Sequence, residues 1–505
     1  MRGVWPIAFL GLACLIPGDL GARRIDLQLA EEMALEHDLE LRAAKFETRI
    51  AAEALAGRLR DFFPSLSVNY RRNRAVARRD IDNGTHSVQL SLSQPVYDGG
   101  RTLYAYEVAR LDVRMARERA SELENNLRFG VRAAYFALLG QFQNLEIDRE
   151  SLQNARDLWE RTRLEYAQGA VTALDYHQVE NELRRRELGV EQSTAALQDS
   201  LNDFGRMIGL EPDELPELYP LESYEFEQHP VELDSEQLFR LALENRPDIR
   251  QARLALMRSR REYLITKYDY LPTIALTGSY GKTGNDWPPT NTEYSFGVNF
   301  TFRIFGNTLT TDVTRLHSAN ETRSGYSQGG QLNVYDNGAW REPHMRNELE
   351  LMRALETDTQ LRRSVESEVR RSLRDYQRYA TELEIGDRDL AIQERRFRID
   401  QLRHRRGEIA LSEFLERELE LRRARTELVA LRIEHILRAN QLELQLGLPL
   451  DSLALMEIRR LNESGAPRRL WRSTDLPEAD SPQNPEEIFT ELDAPPQTDA
   501  EESSR

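Results

Sequence analysis

The chain has 505 residues, and its 68 basic and 85 acidic residues give a formal net charge of -17, which argues against nucleic acid as a partner. Charged residues make up 30% of it and the mean hydropathy is -0.63, which excludes a bundle of apolar membrane-spanning helices. A protein of this composition can enter a bilayer only through β-strands.

The N-terminus has the pattern of an export signal. Arg2 precedes an apolar run, and small residues then lead to the charged pair Arg23-Arg24. We therefore predict a signal peptide over residues 1–22, with an ordinary apolar helix as the alternative. The only cysteine, Cys14, lies inside this segment, so we expect no disulfide in the mature chain. Whether Cys14 is lipidated is left open by the sequence.

The rest of the chain consists of one unit used twice. ALEHDLELRAA from Ala34 corresponds to ALENRPDIRQA from Ala242, and residues 87–99 correspond to 295–307 at the same offset. Later matching segments are spaced more widely, so the second half contains an insertion. The predicted divisions are a first repeat over 23–210, a linker over 211–241, a second repeat over 242–450 and an acidic disordered tail over 451–505. The insertion has its core at about 324–343, where the Asn337-Gly338 turn signal favours a hairpin projecting from the helical shaft.

Each repeat contains a predicted β-hairpin, over 64–97 in the first and 272–305 in the second. In the last predicted strand, polar residues alternate with Phe296, Val298, Phe300, Phe302 and Ile304. Nine residues with one apolar face suit a transmembrane β-strand, and a soluble sandwich strand has the same pattern. Both interpretations stand at this point.

A very long helix follows the first hairpin. Residues 101–166 contain no proline and only two glycines, which predicts one helix of about 100 Å at 1.5 Å per residue. Helices of this length usually pack as coiled coils. Four strands in one chain cannot close a barrel, so closure requires oligomerisation, and the strand count alone does not choose between two, three and four chains.

The duplicated plan, the segment QPVYDGG at 94–100, and the two G-x5-[DE] segments that run on to Gly-Leu pairs together resemble the TolC-like outer-membrane efflux protein family. The resemblance covers residues 25–450. It implies a mainly α, internally duplicated fold: a long α-helical coiled-coil barrel in the periplasm, plus four transmembrane β-strands per protomer that form a twelve-stranded barrel in a homotrimer. It also implies a passive exit duct of a tripartite efflux or type I secretion system in the outer membrane. The implied partners are outer-membrane lipid, a periplasmic adaptor (membrane fusion) protein and an inner-membrane transporter.

The resemblance assigns residues to the junction between barrel and helices. In the first half these are Pro95, Tyr97, Gly99 and Gly100, because proline ends a ladder, glycine permits a bend and tyrosine suits a bilayer interface. In the second half the matching places are Phe305 and Gly306.

The resemblance also assigns a pore gate at the periplasmic tip. Tip turns are expected at Gly169 and Gly407, and the acids that ring the pore at Asp175, Glu413 and Glu416. Asp175 has a second interpretation, since Thr172 and Asp175 have the spacing of a helix capping box. Ala410 removes that alternative from the second half, which favours the pore role for the two glutamates there.

Nothing in the sequence indicates catalysis. The eight histidines form no HExxH or other close metal pair, and neither a phosphate-binding glycine loop nor a nucleophile elbow occurs. We therefore expect no enzyme activity, catalytic residue, metal or cofactor. The alternative function is a periplasmic coiled-coil scaffold without a channel. The sequence does not indicate the cargo, the particular pump partners, or whether the duct serves efflux or protein secretion.

Overall fold

A computed structural model describes residues 25–75, 83–211, 218, 224–228, 234–318, 323–453, 455–461 and 467–469. The predicted signal peptide, including Cys14, lies outside the described residues. The chain divides into a large unit that contains both repeats and a small unit that contains residues 224–228 and those after 450.

The first repeat runs from helix through hairpin to a second helix pair. Its elements are α1 (Leu27–His37), α2 (Leu39–Arg60), β1 (Ser65–Ala75), β2 (Asn83–Tyr97), α3 (Arg101–Ala167) and α4 (Ala173–Ile208). Helix α3 is a single helix of 67 residues, as the proline-free sequence predicts. Its partner α4 begins at Ala173, and the side chain of the preceding Thr172 caps the helix.

The second repeat has the same order with two strands added. Strand β3 (Tyr224–Gln228) precedes it, and its elements are α5 (Ser235–Asn245), α6 (Pro247–Lys267), β4 (Thr273–Gly284), β5 (Asn291–Ile304), β6 (Asn307–Ser318), β7 (Arg323–Asn333), α7 (Glu342–Arg405) and α8 (Leu411–Leu446). Helix α5 begins inside the predicted linker 211–241, because Asp234 and Gln237 form a capping box at its start.

The small unit is a three-stranded sheet in the order β3-β8-β9, where β8 is Met456–Leu461 and β9 is Pro467–Arg469. The prediction of a disordered tail over 451–505 is therefore wrong for these two strands, because β8 finds antiparallel backbone partners along β3. Residues 470–505, which contain most of the acidic stretch, lie outside the described residues.

The large unit contains one antiparallel sheet in the order β1-β2-β4-β5-β6-β7. The prediction of strands on a mainly helical fold is confirmed, but the expected number of four is wrong: the sheet has six. The insertion supplies the extra pair. It forms a hairpin that extends the sheet beyond β5, not one that projects from the helical shaft, because β6 pairs with β5 from Asn307 to Ser318.

Aromatic and aliphatic side chains form the core where the helix pairs meet. Tyr135 and Phe136 of α3 are completely buried, and Phe204 of α4 lies with its ring 6.0 Å from that of Tyr135. Burying each such side chain contributes about 1.5–3 kcal/mol relative to its exposure. Tertiary packing of this kind, more than helix propensity, stabilises helices of such length.

A glycine ends each of the shorter helices of the two pairs. Gly209 and Gly447 have left-handed backbones with φ of 80° and 70°, and a Cβ on Gly447 would stand 2.5 Å from the backbone of Arg246. We expect Gly447→Ala to destabilise the protein by at least about 1 kcal/mol, from backbone strain and from the clash. The matched control is Gly189→Ala within α4, where the added methyl group has open space and should stabilise by about 0.5–1 kcal/mol. Thermal unfolding followed by circular dichroism in detergent should lower the midpoint for Gly447→Ala and raise it for the control; equal midpoints would contradict the close approach.

His435 of α8 makes the helical core sensitive to acid. The ring is completely buried and stacks on Tyr376 of α7 at 5.2 Å, and neither ring nitrogen has a hydrogen-bond partner among the described residues. Burial lowers the pKa of His435 to about 4 from its ordinary 6.5. The unfolded chain therefore takes up a proton before the folded chain does, and stability falls as pH drops from about 6.5 to 4, by up to about 3 kcal/mol.

The variant His435→Phe keeps the stack on Tyr376 and cannot bind a proton. We expect its unfolding midpoint to change less than that of the wild type between pH 7 and pH 4. The measurement is a pair of thermal unfolding series over that pH range in the same detergent. Parallel curves for the two proteins would show that the acid sensitivity arises elsewhere.

Candidate functional site

The register of the six-stranded sheet gives it two chemically different faces. In the central strands, Leu90 pairs with Tyr280 and Leu92 with Gly278, and β5 places Phe296 and Val298 on this same face. The apolar residues of this face in the first four strands are Leu66, Val68, Tyr70, Val88, Leu90, Leu92, Ile274, Leu276, Tyr280, Tyr294, Phe296, Val298, Phe300, Phe302 and Ile304. Several of them are more than half exposed, Val68 at 70% and Phe296 at 62%. An exposed apolar face of this size fits contact with lipid.

The opposite face of the same strands is polar. Its residues include Ser67, Asn69, Gln89, Ser91, Ser93, Thr277, Ser279, Glu293, Ser295, Asn299 and Thr301. Hydrogen bonds across strands connect some of them, as between the hydroxyl groups of Ser279 and Ser295 at 2.7 Å. A polar face of this kind fits a water-filled lumen.

Aromatic side chains gather at both ends of the sheet. At the end of the β1–β2 and β4–β5 loops, Trp287 contacts Tyr70 edge to face with ring centres 5.7 Å apart. At the helix end, Phe305 and Trp340 make a similar contact at 5.5 Å. Two such groups, with the apolar face between them, match the aromatic girdles of a membrane barrel.

The first junction between sheet and helix lies at residues 95–100. Pro95 and Tyr97 are at the end of strand β2, and the pairing of β2 with β4 is irregular between them. Gly99 and Gly100 follow with φ of 70° and 85°. Asp98, which the sequence analysis did not single out, caps the following helix: its carboxylate accepts hydrogen bonds from the backbone N–H groups of Gly100 at 3.0 Å and Thr102 at 2.7 Å. The chain thus changes from strand to helix within three residues.

The second junction is not at Phe305 and Gly306, where the sequence analysis placed it. These two residues form the turn between β5 and β6, with φ of 51° and 78°, so the chain returns into the sheet there. The transition to helix comes at Val334-Tyr335-Asp336-Asn337-Gly338, which repeats Val96-Tyr97-Asp98-Gly99-Gly100 almost letter for letter. This second copy can be found in the sequence. The sequence analysis missed it because the offset between the two hairpins aligned the first junction with residues 305 and 306 instead.

The β5–β6 turn and the second junction are hydrogen-bonded to each other. The N–H of Asn337 donates to the carbonyl of Gly306 at 3.2 Å, and the N–H of Tyr335 donates to the side chain of Asn307 at 3.0 Å. A Cβ on Gly306 would stand 2.5 Å from the carbonyl oxygen of Asn337. The inserted hairpin therefore begins and ends at one place.

An ionic contact connects three segments at the helix end of the sheet. Asp269, after α6, accepts hydrogen bonds from Arg101 at the start of α3 and from Arg303 near the end of β5, the latter at 3.2 Å. The three side chains are about two-fifths exposed, so screening by solvent limits the contribution of these ion pairs to stability. Their position suits them to hold the end of β5 against the adjoining ends of α3 and α6.

The far ends of the helix pairs carry two matching turns. Gly169 and Gly407 have φ of 74° and 75°, and the backbone hydrogen bonds around them have the same pattern in the two halves. Phe414 of α8 packs with Leu158 of α3 and Val179 of α4, so it holds the two turns together. His404 stacks on Phe414 with ring centres 4.7 Å apart, which accounts for the histidine that precedes Gly407.

The three predicted gate acids differ in their surroundings. Asp175 makes the capping box with Thr172: its N–H donates to the hydroxyl oxygen of Thr172 at 3.2 Å, and that hydroxyl group donates to its carboxylate at 2.7 Å. Glu413 and Glu416 are exposed on α8, and the nearest carboxylate oxygen of Glu413 is 4.0 Å from the guanidinium of Arg417. The capping role of Asp175 is therefore present, and the two glutamates project from the surface near the tip.

A fourth acid near the tip is buried. Glu418 is 7% exposed on α8 and lies near Arg186 of α4. Burial raises the pKa of Glu418, and the charge of Arg186 opposes this shift. Burial at this place therefore favours the neutral form of the Glu418 carboxyl group.

In the described part of the chain, no helix has the length and apolar character needed to cross a membrane. Within the same residues, no group of three or more His, Cys, Asp or Glu side chains is arranged to hold a metal ion.

Long helical pairs joined to an antiparallel sheet with one apolar and one polar face define a channel-type architecture. Residues 31–210 and 238–448 match the model of the family described as outer membrane efflux protein. This chain belongs to that family, which confirms the resemblance noted in the sequence and places the protein in the outer membrane.

Comparison with individual proteins agrees with the family. The chain is 26% identical over 314 residues to the alkaline protease secretion protein AprF of Pseudomonas aeruginosa, and the match covers 58% of this chain and 64% of that protein. Among solved structures it is similar to the CmeC outer membrane channel of Campylobacter jejuni, with 14% identity, a TM-score of 0.69 and coverage of 83% of this chain and 85% of the other. The MtrE outer membrane channel of Neisseria gonorrhoeae gives 17% identity, a TM-score of 0.68 and coverage of 84% and 89%. At these identities the structural likeness establishes the fold.

Proposed function

We propose that this protein is the outer-membrane exit duct of a tripartite export system and acts as a homotrimer without chemical catalysis. The observation that carries the proposal is the six-stranded sheet, whose exposed apolar face and polar face continue directly into helices of 67 and 64 residues. The apolar face suits lipid, the polar face suits a lumen, and helices about 100 Å long suit a tunnel across the periplasm. A periplasmic scaffold would leave the apolar face in water, which disfavours the alternative function.

Closure of the wall requires more than one chain. The sheet of one protomer has two free edges, β1 and β7, among the described strands. Unpaired backbone groups are not tolerated within the hydrocarbon of a bilayer, so each edge must meet another protomer. The trimer is the arrangement that the sequence resemblance implies, with a periplasmic adaptor protein and an inner-membrane transporter as the other two components.

We infer a gate at the tip formed by Glu413 and Glu416 of α8 from each protomer. Threefold symmetry would bring six carboxylates around the axis, which favours cations over anions. Asp175 is better accounted for by its capping box and contributes mainly to the start of α4. Gly169 and Gly407 serve as the turns that carry these residues.

The class of cargo is open to direct test. The relative AprF is named for the secretion of a protease, which makes type I protein secretion the first class to examine, and small-molecule efflux is the other. Deletion of the gene should deplete a protein from the culture medium in the first case. In the second case it should sensitise the cells to toxic small molecules.

The test of the duct itself uses the purified full chain. Native mass spectrometry should give a trimer, and insertion into planar bilayers should give cation-selective current steps. A folded protein that is monomeric, or a folded trimer that never conducts, would overturn the proposal and favour the scaffold.

A further inference from the structure

We propose that the inserted hairpin β6–β7 is part of the barrel wall, so that the trimer closes with eighteen strands, β7 of each protomer pairing with β1 of the next. This inference rests on the proposed trimeric duct. The occupant of the β7 edge is therefore a second copy of this chain.

The hairpin continues the sheet without interruption. Strand β6 pairs with β5 from Asn307 opposite Ile304 to Ser318 opposite Glu293, and β7 pairs with β6 along all of its 11 residues. A hairpin that folded back over the barrel or into its lumen would break this ladder. The wall therefore ends at β7, not at β5.

The two edges suit each other in length and direction. Strands β1 and β7 both have 11 residues. Because the six strands alternate in direction, β7 runs opposite to β1, so the two edges can pair antiparallel as every other neighbour does. Because a hairpin adds two strands, the outer edge strand keeps its direction. The edges of neighbouring protomers can therefore still pair antiparallel and close the ring.

The hairpin also continues the two faces. On the side shared with Phe296 and Val298, its apolar residues are Leu309, Val313, Tyr326 and Leu332. On the lumen side its residues are Thr308, Thr310, Asp312, Thr314, Leu316, Gly325, Ser327, Gly329, Gln331 and Asn333. Polar residues interrupt the lipid side at Thr311, Arg315, His317, Ser324 and Gln328. Arg315 lies opposite Tyr326 and three residues from the end of β6, where its long side chain reaches the headgroup region, and His317 lies nearer still to that end.

Disulfide cross-linking between protomers tests which strand meets β1. Cys14, the only native cysteine, is first replaced by serine. One set of variants combines Val68→Cys on β1 with a cysteine on the lipid face of β7, at Tyr326, Gln328 or Leu332. The other set combines Val68→Cys with a cysteine on β5, at Phe296, Val298 or Phe300. Neighbouring strands bring Cα atoms to 4.5–5.5 Å, within the range of a disulfide, whereas strands separated by two others are about 14 Å apart.

We expect at least one β1–β7 pair to give a covalent trimer on denaturing gels and the β1–β5 pairs to give none. A control variant lacks residues 305–334 and joins Ile304 to Tyr335, which restores the strand-to-helix motif after a four-stranded sheet. In it the β1–β5 pairs should cross-link. Links between β1 and β5 in the full chain, or a native trimer that links through neither set, would overturn the eighteen-stranded barrel. Absence of any trimer by native mass spectrometry would instead contradict the proposed duct.

Discussion

Removing the two tip carboxylates should open the duct and weaken its preference for cations. In the variant Glu413→Ala/Glu416→Ala, the proposed ring of six negative charges disappears while α8 keeps its helical start, because Ala410 supplies no side-chain cap and the glutamates are exposed. A ring of charges of the same sign raises the local concentration of counter-ions by about tenfold or more. Without the ring, cation selectivity should fall by about that factor. Single-channel current should rise, because anions, which the carboxylates repel, can then pass as well as cations.

The measurement is single-channel recording in planar bilayers with a salt gradient, which gives conductance and selectivity together. Glu187→Ala/Glu191→Ala on α4 is the matched control, since it removes the same charge from exposed positions away from the tip turn. Unchanged selectivity in the Glu413 and Glu416 variant would place the gate elsewhere and leave the channel itself intact. Arg417 lies 4.0 Å from Glu413 and 2.9 Å from Glu420, so its positive charge partly offsets the negative charge near the tip, and Arg417→Ala should strengthen cation selectivity.

A charge on the lipid face should prevent assembly, and the same charge one residue along should not. Val298 and Asn299 are neighbours in β5 with side chains on opposite faces: Val298 lies between Leu276 and Val313, and Asn299 between Ala275 and Asp312. Arginine at the middle of a barrel's lipid face costs about 2–4 kcal/mol per chain, and a trimer carries three copies. We expect Val298→Arg to be lost from the outer membrane.

On the polar face, Asn299→Arg meets water and the carboxylate of Asp312, so it should accumulate as wild type does. Membrane fractionation with blotting of unheated and heated samples distinguishes the folded trimer from unfolded chain. If both variants reach the membrane equally, the face that we assign to lipid is wrong. If both are lost, the strand tolerates no large side chain and the faces are not distinguished by charge.

Local patterns predicted the parts of this fold that depend on short-range physics. The continuous helix α3 follows from the absence of proline and from its apolar spacing, and the alternation in β5 fixes which residues share a face. The same kind of signal is weak in the inserted strands β6 and β7. Most positions that are large and apolar in β5 are occupied there by residues such as Thr, Gly, Ser and Gln. Glycine and serine in SGYSQGG indicate a loop by composition, and only the ladder formed with β5 turns this segment into a strand.

Non-local contacts account for the rest. Strand β8 pairs with β3, more than two hundred residues earlier, and no periodicity within MEIRRL announces such a partner. At the tip, Thr172 and Asp175 predicted their own capping box because the two groups are three residues apart. The burial of Glu418 against α4 depends on how α8 packs, which its exposed neighbours in sequence do not reveal.

The turn at Phe305 and Gly306 lies at the helix end of the sheet, and strand β7 brings the chain back to this same place, where Asn337 is hydrogen-bonded to Gly306. The first and last residues of such an insertion are next to each other. Adding or deleting the hairpin therefore need not move the helices or change the direction of the elements that follow it. In the proposed eighteen-stranded barrel, the number of strands can therefore change while the number of periplasmic helices stays the same, and duplication of one hairpin would add six strands per trimer. Engineers of protein nanopores could use the same splice point to set barrel diameter while retaining the native tip.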